Sequence, residues 1–86
     1  MKLDIQHFTL TGSEHAFVFN RESNKVIVKN FTDSDIYVAF EQGATQDESI
    51  KIPTMLGQIC QVQESPLARF SVVYVSGTGD VEVQLI

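Results

Sequence analysis

Residues 69–86, RFSVVYVSGTGDVEVQLI, contain two extended segments on either side of a pair of glycines. After the glycines, Val81, Val83 and Leu85 alternate with polar residues, which is the period of two expected of a strand with one buried face. Before the glycines, apolar residues occupy both odd and even positions. The stretch therefore predicts two β-strands joined by a tight turn, with an excess of apolar surface on the first.

A two-residue turn at Gly77-Thr78 would place glycine where a type II′ hairpin needs a positive φ. In that register three apolar pairs share one face: Tyr74 with Val81, Val72 with Val83, and Phe70 with Leu85. The reverse face then carries apolar residues opposite acidic ones. We expect this reverse face to be a protein interface, formed by Val73, Val75, Ser71 and Glu82. The alternative is that a loop of the same chain covers Val73 and Val75.

Alternation with a period of two recurs along the rest of the chain, around residues 3–5, 26–28, 36–40 and 50–52. Clusters of Gly, Asn, Asp, Ser and Pro lie between these segments, at residues 11–13, 20–24, 32–35, 42–48 and 64–66. The segment 55–62 contains Gly57 and follows Pro53, which argues against a helix there. Residues 1–86 are thus predicted to form a single all-β domain, an antiparallel sandwich or compact barrel of seven or eight strands that closes with the Gly77-Thr78 hairpin.

The composition restricts the classes of partner. Six basic and eleven acidic residues give a formal net charge of −5, which would repel a phosphate backbone, so we expect no nucleic-acid partner. No apolar run approaches the roughly 20 residues that a transmembrane helix needs, and we expect no membrane partner. The single cysteine, Cys60, has no internal disulfide partner, as is usual for a protein made in a reducing compartment.

Three groups of residues were considered as chemical sites. Gly77-Thr78-Gly79 resembles the start of a dinucleotide-binding loop, but a strand follows it where that motif needs a helix. Asp33 and Asp35 could offer carboxylates to calcium, although such clusters more often form solvated turns. The soft ligands His7, His15 and Cys60 are too far apart in the sequence for a short zinc motif. We therefore expect no catalytic residue, no cofactor and no bound metal, and a protein that is not an enzyme.

Two segments resemble a known class of proteins: VIVKNFTDSDIYVAFEQGATQDESIKIP (26–53) and YVSGTGDVEVQLI (74–86). In their succession of strand ends, acidic turn and closing Gly-x-Gly they are similar to small β-rich structural proteins of the heads and tails of tailed bacteriophages and prophages of Gram-positive bacteria. The resemblance is carried by these two segments and transfers no site residues. It implies a virion component made in the bacterial cytoplasm, such as a capsid decoration protein, a head fibre base or a tail accessory module.

The sequence thus predicts a non-enzymatic structural protein that forms a homo-oligomer or docks onto a phage capsid or tail protein. A small acidic sandwich with a second apolar face suits such repeated attachment, because many weak contacts combine into avidity. The alternative is a carbohydrate-binding or cell-wall-binding module. Sugar sites commonly use aromatic platforms, but the chain has no Trp, and Tyr37 and Tyr74 both lie within predicted strands.

Overall fold

A computed structural model of the chain describes residues 4–61 and 69–86. Within these residues the chain forms eight strands and one short 3₁₀ helix, η1 (Gln46–Glu48). The strands are β1 (Ile5–Thr11), β2 (His15–Ser23), β3 (Lys25–Asn30), β4 (Ile36–Ala39), β5 (Ile50–Ile52), β6 (Gly57–Gln61), β7 (Phe70–Ser76) and β8 (Thr78–Leu85).

The strands form two antiparallel four-stranded sheets, which confirms the predicted all-β sandwich. We call them sheet A, with strand order β1-β8-β3-β6, and sheet B, with order β2-β7-β4-β5. The ladders join β1 to β8, β2 to β7, β3 to β6 and β4 to β5. The first half of the chain therefore pairs with the second half in reverse order, like a long hairpin rolled into two sheets. This is the topology of an eight-stranded jelly roll.

The core lies between the sheets and is built from residues that alternate along the strands. The largest fully buried side chains are Phe17, Leu10, Ile36, Ile52, Val26, Val28, Val38, Val73, Val75, Val81, Val83 and Asn30. In most strands the inward set is the apolar set that the sequence pattern predicted, as for Val26 and Val28 on β3. Burial of the apolar side chains in this set, each contributing roughly 1.5–3 kcal/mol, is the main stabilising term.

The predicted final hairpin is wrong. β7 and β8 are separated only by Gly77, yet they belong to different sheets: β7 pairs with β2 and β4, and β8 pairs with β1 and β3. Gly77 does have a positive φ, of 150°, and Gly79 has a φ of 114°. A β-carbon at Gly77 would lie 2.8 Å from Cγ2 of Ile36, and one at Gly79 would lie 2.7 Å from Cγ2 of Thr32. The two glycines thus permit a corner between sheets at which the chain passes close to other segments.

Two further predictions concern turns between strands. The turn predicted over residues 20–24 is instead the end of β2, which continues to Ser23 with a register shift between Val18 and Ser23. The turn predicted at residues 64–66 lies outside the described residues. Residues 57–61 form a strand, in agreement with the rejection of a helix there. In the part of the chain that the structure describes, no helix is long and apolar enough to span a bilayer.

Asn30 fixes the connection between β3 and β4. Its buried side-chain amide Nδ2 donates to the carbonyl oxygens of Ser34, Ile52 and Pro53 at 2.8, 3.0 and 3.1 Å. Its Oδ1 accepts the backbone N–H of Thr32 at 2.8 Å. One side chain therefore satisfies backbone groups of the β3–β4 turn and of the end of β5. It holds this turn and the turn after β5 at the same end of the sandwich.

Candidate interaction surface

The structure corrects the interface predicted at Val73 and Val75. Both side chains are 0% exposed and lie in the core between the sheets. β7 is an inner strand of sheet B, and Val73 and Val75 face sheet A, while Val72 and Tyr74 lie on the outer surface and are half-buried. The sequence pattern predicted the wrong inward face for Val73 and Val75 because apolar residues occupy both odd and even positions of β7. Val73 and Val75 are covered by their own chain and do not form the centre of an exposed face.

Ser71 and Glu82, the other two predicted interface residues, are half-buried and lie on different sheets. They do not form a common patch. Glu82 lies on the outer face of sheet A, where its Oε1 accepts a hydrogen bond from Nε2 of His7 at 2.7 Å and its Oε2 lies 3.3 Å from Nζ of Lys29. The hydrogen bond from His7 is the largest influence on the Glu82 carboxyl and lowers its pKa; Lys29 lowers it further, while burial opposes both.

Beside His7, on the same outer face of sheet A, there is a shallow depression of about 670 Å³. It is lined by His7, Phe8, Thr9, Phe31, Asp80 and Val81. The hydroxyl of Thr9 donates to Oδ1 of Asp80 at 2.6 Å, and the backbone N–H of Phe31 donates to the carbonyl oxygen of Asp80 at 3.1 Å. The Phe31 side chain is 51% exposed although its backbone is held on both sides. An apolar ring is thus presented to solvent from a fixed position, beside a carboxylate.

The residues considered as ligands or nucleophiles have other contacts. Oδ2 of Asp35 lies 3.3 Å from Nζ of Lys51, and within residues 4–61 and 69–86 no group of three or more His, Cys, Asp or Glu side chains could hold a metal ion. His15 stacks on Phe8 with ring centroids 3.6 Å apart. Cys60 is buried on the inner face of β6, and burial raises the pKa of its thiol to about 11. Such a thiol is almost entirely protonated at neutral pH and a poor nucleophile.

The tyrosines considered for a sugar platform lie on the outer face of sheet B. Tyr37 on β4 is opposite Ser76 and Lys51, and Tyr74 on β7 is opposite Ala16 and Ala39. Their residues are half-buried, and they are not directly opposite each other in the ladder.

The most unusual surface of the described structure is the half of sheet A formed by β3 and β6. These two strands contain two basic residues, Lys25 and Lys29, and none of the eleven acidic residues of the chain. On β6, the last strand of the sheet, Ile59 is 58% exposed, and Met55 and Leu56 in the preceding turn are also exposed. We call β3, β6 and this turn the acid-free surface. Sequence reasoning missed it, although the lack of charged residues from 52 to 63 was a visible signal.

Two of the other three edge strands, β2 and β5, carry features that hinder pairing with another strand. β1 and β2 are linked by a 2.6 Å hydrogen bond from Nε2 of Gln6 to the carbonyl oxygen of Val18. β2 also has an irregular register and carries Arg21 and Glu22, and β5 is only three residues long with Lys51 at its centre. Charges, bulges and shortness are the usual protections of sheet edges. β6 has five residues and no charge. β1 also has no Asp, Glu, Lys or Arg and no register shift, but its neighbour β8 carries Asp80 and Glu82, whereas β3, the neighbour of β6, carries no acidic residue.

Comparisons of this chain with known protein families, with curated proteins and with solved structures find no match.

Proposed function

We propose that this protein is a non-enzymatic structural protein of a tailed-bacteriophage or prophage virion, which assembles with copies of itself or docks onto the head or tail. The observation that carries the proposal is the acid-free surface, with exposed Ile59 on an uncharged edge strand. In a chain with a net charge of −5, this surface offers apolar contact without burying a carboxylate. Exposed apolar surface of this kind is characteristic of protein interaction sites.

The topology is compatible with this role. Eight-stranded jelly rolls occur in viral capsid domains and in lectins, so the fold admits both a virion protein and a sugar-binding protein. Fold alone does not decide function. The surface favours the first role, since an apolar edge strand suits contact with another protein surface. In a symmetric shell each contact can be weak, because attachment at many equivalent positions raises the overall affinity.

The test is to purify phage particles from the strain that encodes the chain and to quantify the protein in them by mass spectrometry. We expect it to co-purify with the particles on a density gradient in a constant ratio to the main head or tail protein. Ile59→Lys should reduce its incorporation. Val18→Lys is the matched control, because Val18 is 61% exposed but lies on sheet B. A protein that is abundant in the lysate but absent from the particles would contradict the proposal.

Carbohydrate binding is the second candidate, and the depression beside Phe31 favours it. An exposed aromatic ring next to a carboxylate and a hydroxyl provides a stacking surface with hydrogen-bonding groups around it. Binding on a glycan array that is lost in Phe31→Ala but retained in Tyr37→Ala would support this site. Loss in Tyr37→Ala alone would place the sugar on sheet B, and no binding to any glycan would count against the candidate.

A further inference from the structure

The direction of the backbone groups along β6 follows from one hydrogen bond. The N–H of Asn30 donates to the carbonyl oxygen of Leu56 at 2.8 Å, in the same register that pairs Val28 with Gln58 and Val26 with Cys60. In an antiparallel ladder, hydrogen-bonded and non-hydrogen-bonded pairs alternate. The backbone groups of Gln58 and Cys60 are therefore directed at β3. Those of Gly57, Ile59 and Gln61 are directed at the outer edge of sheet A.

No other strand of residues 4–61 and 69–86 pairs with this outer edge. Backbone N–H and C=O groups in a row of this kind form a template for a further strand. The edge at Gly57, Ile59 and Gln61 contains no proline, no charged side chain and no register shift. It is therefore open to backbone pairing, unlike the edges at β2 and β5.

We infer that the strand which pairs with this edge is β6 of a second copy of the chain, antiparallel and related by a two-fold axis at Ile59; the inference rests on the proposed assembly function. In this register Ile59 lies opposite Ile59 of the second copy, and Gly57 lies opposite Gln61 of the second copy. Every backbone group directed at the edge then gains a partner, as an isologous interface requires. The two four-stranded A sheets become one continuous sheet of eight strands (4 + 4).

Charge favours a second copy at this edge over other parts of the molecule. Two chains of net charge −5 repel each other, and the repulsion is least where neither presents carboxylates. β3 and β6 contribute only Lys25 and Lys29, and Lys29 is already paired with Glu82. Contact through β6 therefore brings together parts of the described structure that contain no acidic residue.

Amide hydrogen exchange of the intact protein, measured by NMR at low and at high concentration, tests the pairing residue by residue. We expect the amides of Gly57, Ile59 and Gln61 to exchange slowly at high concentration and rapidly at low concentration. The amides of Gln58 and Cys60, which bond to β3, should be protected at both. Rapid exchange of the first three at all concentrations would overturn the inference. So would protection that does not depend on concentration, because the edge would then be covered by its own chain.

Two substitutions at one position separate backbone pairing from side-chain contact. Ile59→Pro removes the N–H directed at the second copy but no hydrogen bond to β3, whereas Ile59→Thr removes apolar surface and keeps the N–H. Light scattering should give a dimer for the wild type and for Ile59→Thr, and a monomer for Ile59→Pro. Equal weakening in both variants would overturn the inference. If Ile59→Pro fails to fold, as judged by circular dichroism, the exchange experiment decides.

The dimer and the proposed function can fail separately. A protein that is monomeric in solution but present in phage particles would overturn the β6 dimer and leave the virion role intact. A dimer with the expected exchange pattern that is missing from particles would support the pairing and contradict the virion role.

Discussion

The backbone N–H of Gly12 donates a hydrogen bond of 2.8 Å to the carbonyl oxygen of Gly77. This bond joins the corner between β1 and β2 to the corner between β7 and β8. It lies between the ladder of β1 with β8, which ends at Thr11 opposite Thr78, and the ladder of β2 with β7, which begins at His15 opposite Val75. The two ladders are thus one long antiparallel pairing that bends from sheet A into sheet B.

The bend determines which face of β7 is buried. The same substitution at two adjacent residues, one on each face of β7, tests which face that is. Val73→Thr places a hydroxyl in the core and should lower the free energy of unfolding by roughly 1–3 kcal/mol. Val72→Thr makes the same change on the outer surface and should alter it by less than about 0.5 kcal/mol. Urea denaturation of both variants measures the difference. Equal costs would mean that the inward face of β7 is assigned wrongly.

The close approach of Gly79 to Thr32 predicts that one methyl group added at Gly79 lowers the free energy of unfolding strongly. In Gly79→Ala the new β-carbon would lie 2.7 Å from Cγ2 of Thr32, at a φ of 114° that L-residues rarely adopt. We expect a loss of roughly 3 kcal/mol in unfolding free energy, from strain and overpacking together. Gly43→Ala is the control, since Gly43 also has a positive φ but no atom within 4 Å of the added carbon. It should cost about 1 kcal/mol. Thermal melts of both variants would show whether the contact or the φ angle dominates.

The sequence predicted the sandwich because the period of two survives in six or more segments whatever the connections between them. It also predicted the inward set on β8, where only one parity is apolar, and on β3, where Val26 and Val28 flank Ile27. It failed at β7 for two physical reasons. Both parities of that strand are apolar, and Gly-Thr-Gly suits a hairpin as well as a corner between sheets. The contacts of Gly77 with Ile36 and of Gly79 with Thr32, which distinguish the two, join residues more than 40 positions apart.

The candidate surface was harder to predict than the fold. An interface was expected at Val73 and Val75, but the core contains both, and Val72 and Tyr74 are the apolar residues left on the outer surface. Ile59 instead stands out through what its strand lacks, namely charge, proline and a bulge. That lack becomes meaningful only once β6 is known to be an edge strand, and strand order in a sheet is not encoded by local periodicity.

The buried amide of Asn30 should be the most sensitive polar position. Asn30→Asp would direct a carboxylate at the carbonyl oxygens that Nδ2 now bonds, with no donor to compensate. We expect a loss of roughly 3 kcal/mol or more at pH 7, the cost of unpaired buried polar groups. Asn24→Asp makes the same change of charge at an exposed position and should be nearly neutral. Urea denaturation distinguishes the two, and similar losses in both would show that charge alone is responsible.

The contacts of Glu82 predict a dependence of stability on pH. Because the folded state lowers the pKa of this carboxyl below its ordinary value of 4.5, the pair with His7 and Lys29 stabilises the fold above that pH and loses its effect as pH falls through the lowered pKa. Glu82→Gln should therefore cost about 0.5 kcal/mol at pH 6, as expected of a solvent-screened pair. The difference from the wild type should shrink below about pH 4.5. A difference that does not shrink as the pH falls would assign the effect to side-chain packing.

Cys60 offers a direct measure of how tightly β6 is held against the core. The thiol is buried, and its pKa of about 11 leaves roughly one molecule in a thousand as thiolate at pH 8. As Cys60 is the only cysteine, a disulfide reagent reports on it alone. We expect its reaction in the native protein to be at least about 100-fold slower than in urea, because only the thiolate attacks. Native and unfolded protein reacting at similar rates would mean that β6 separates readily from β3. A strand held so loosely could not present a fixed edge to a second copy, so this experiment also tests the rigidity on which the β6 pairing depends.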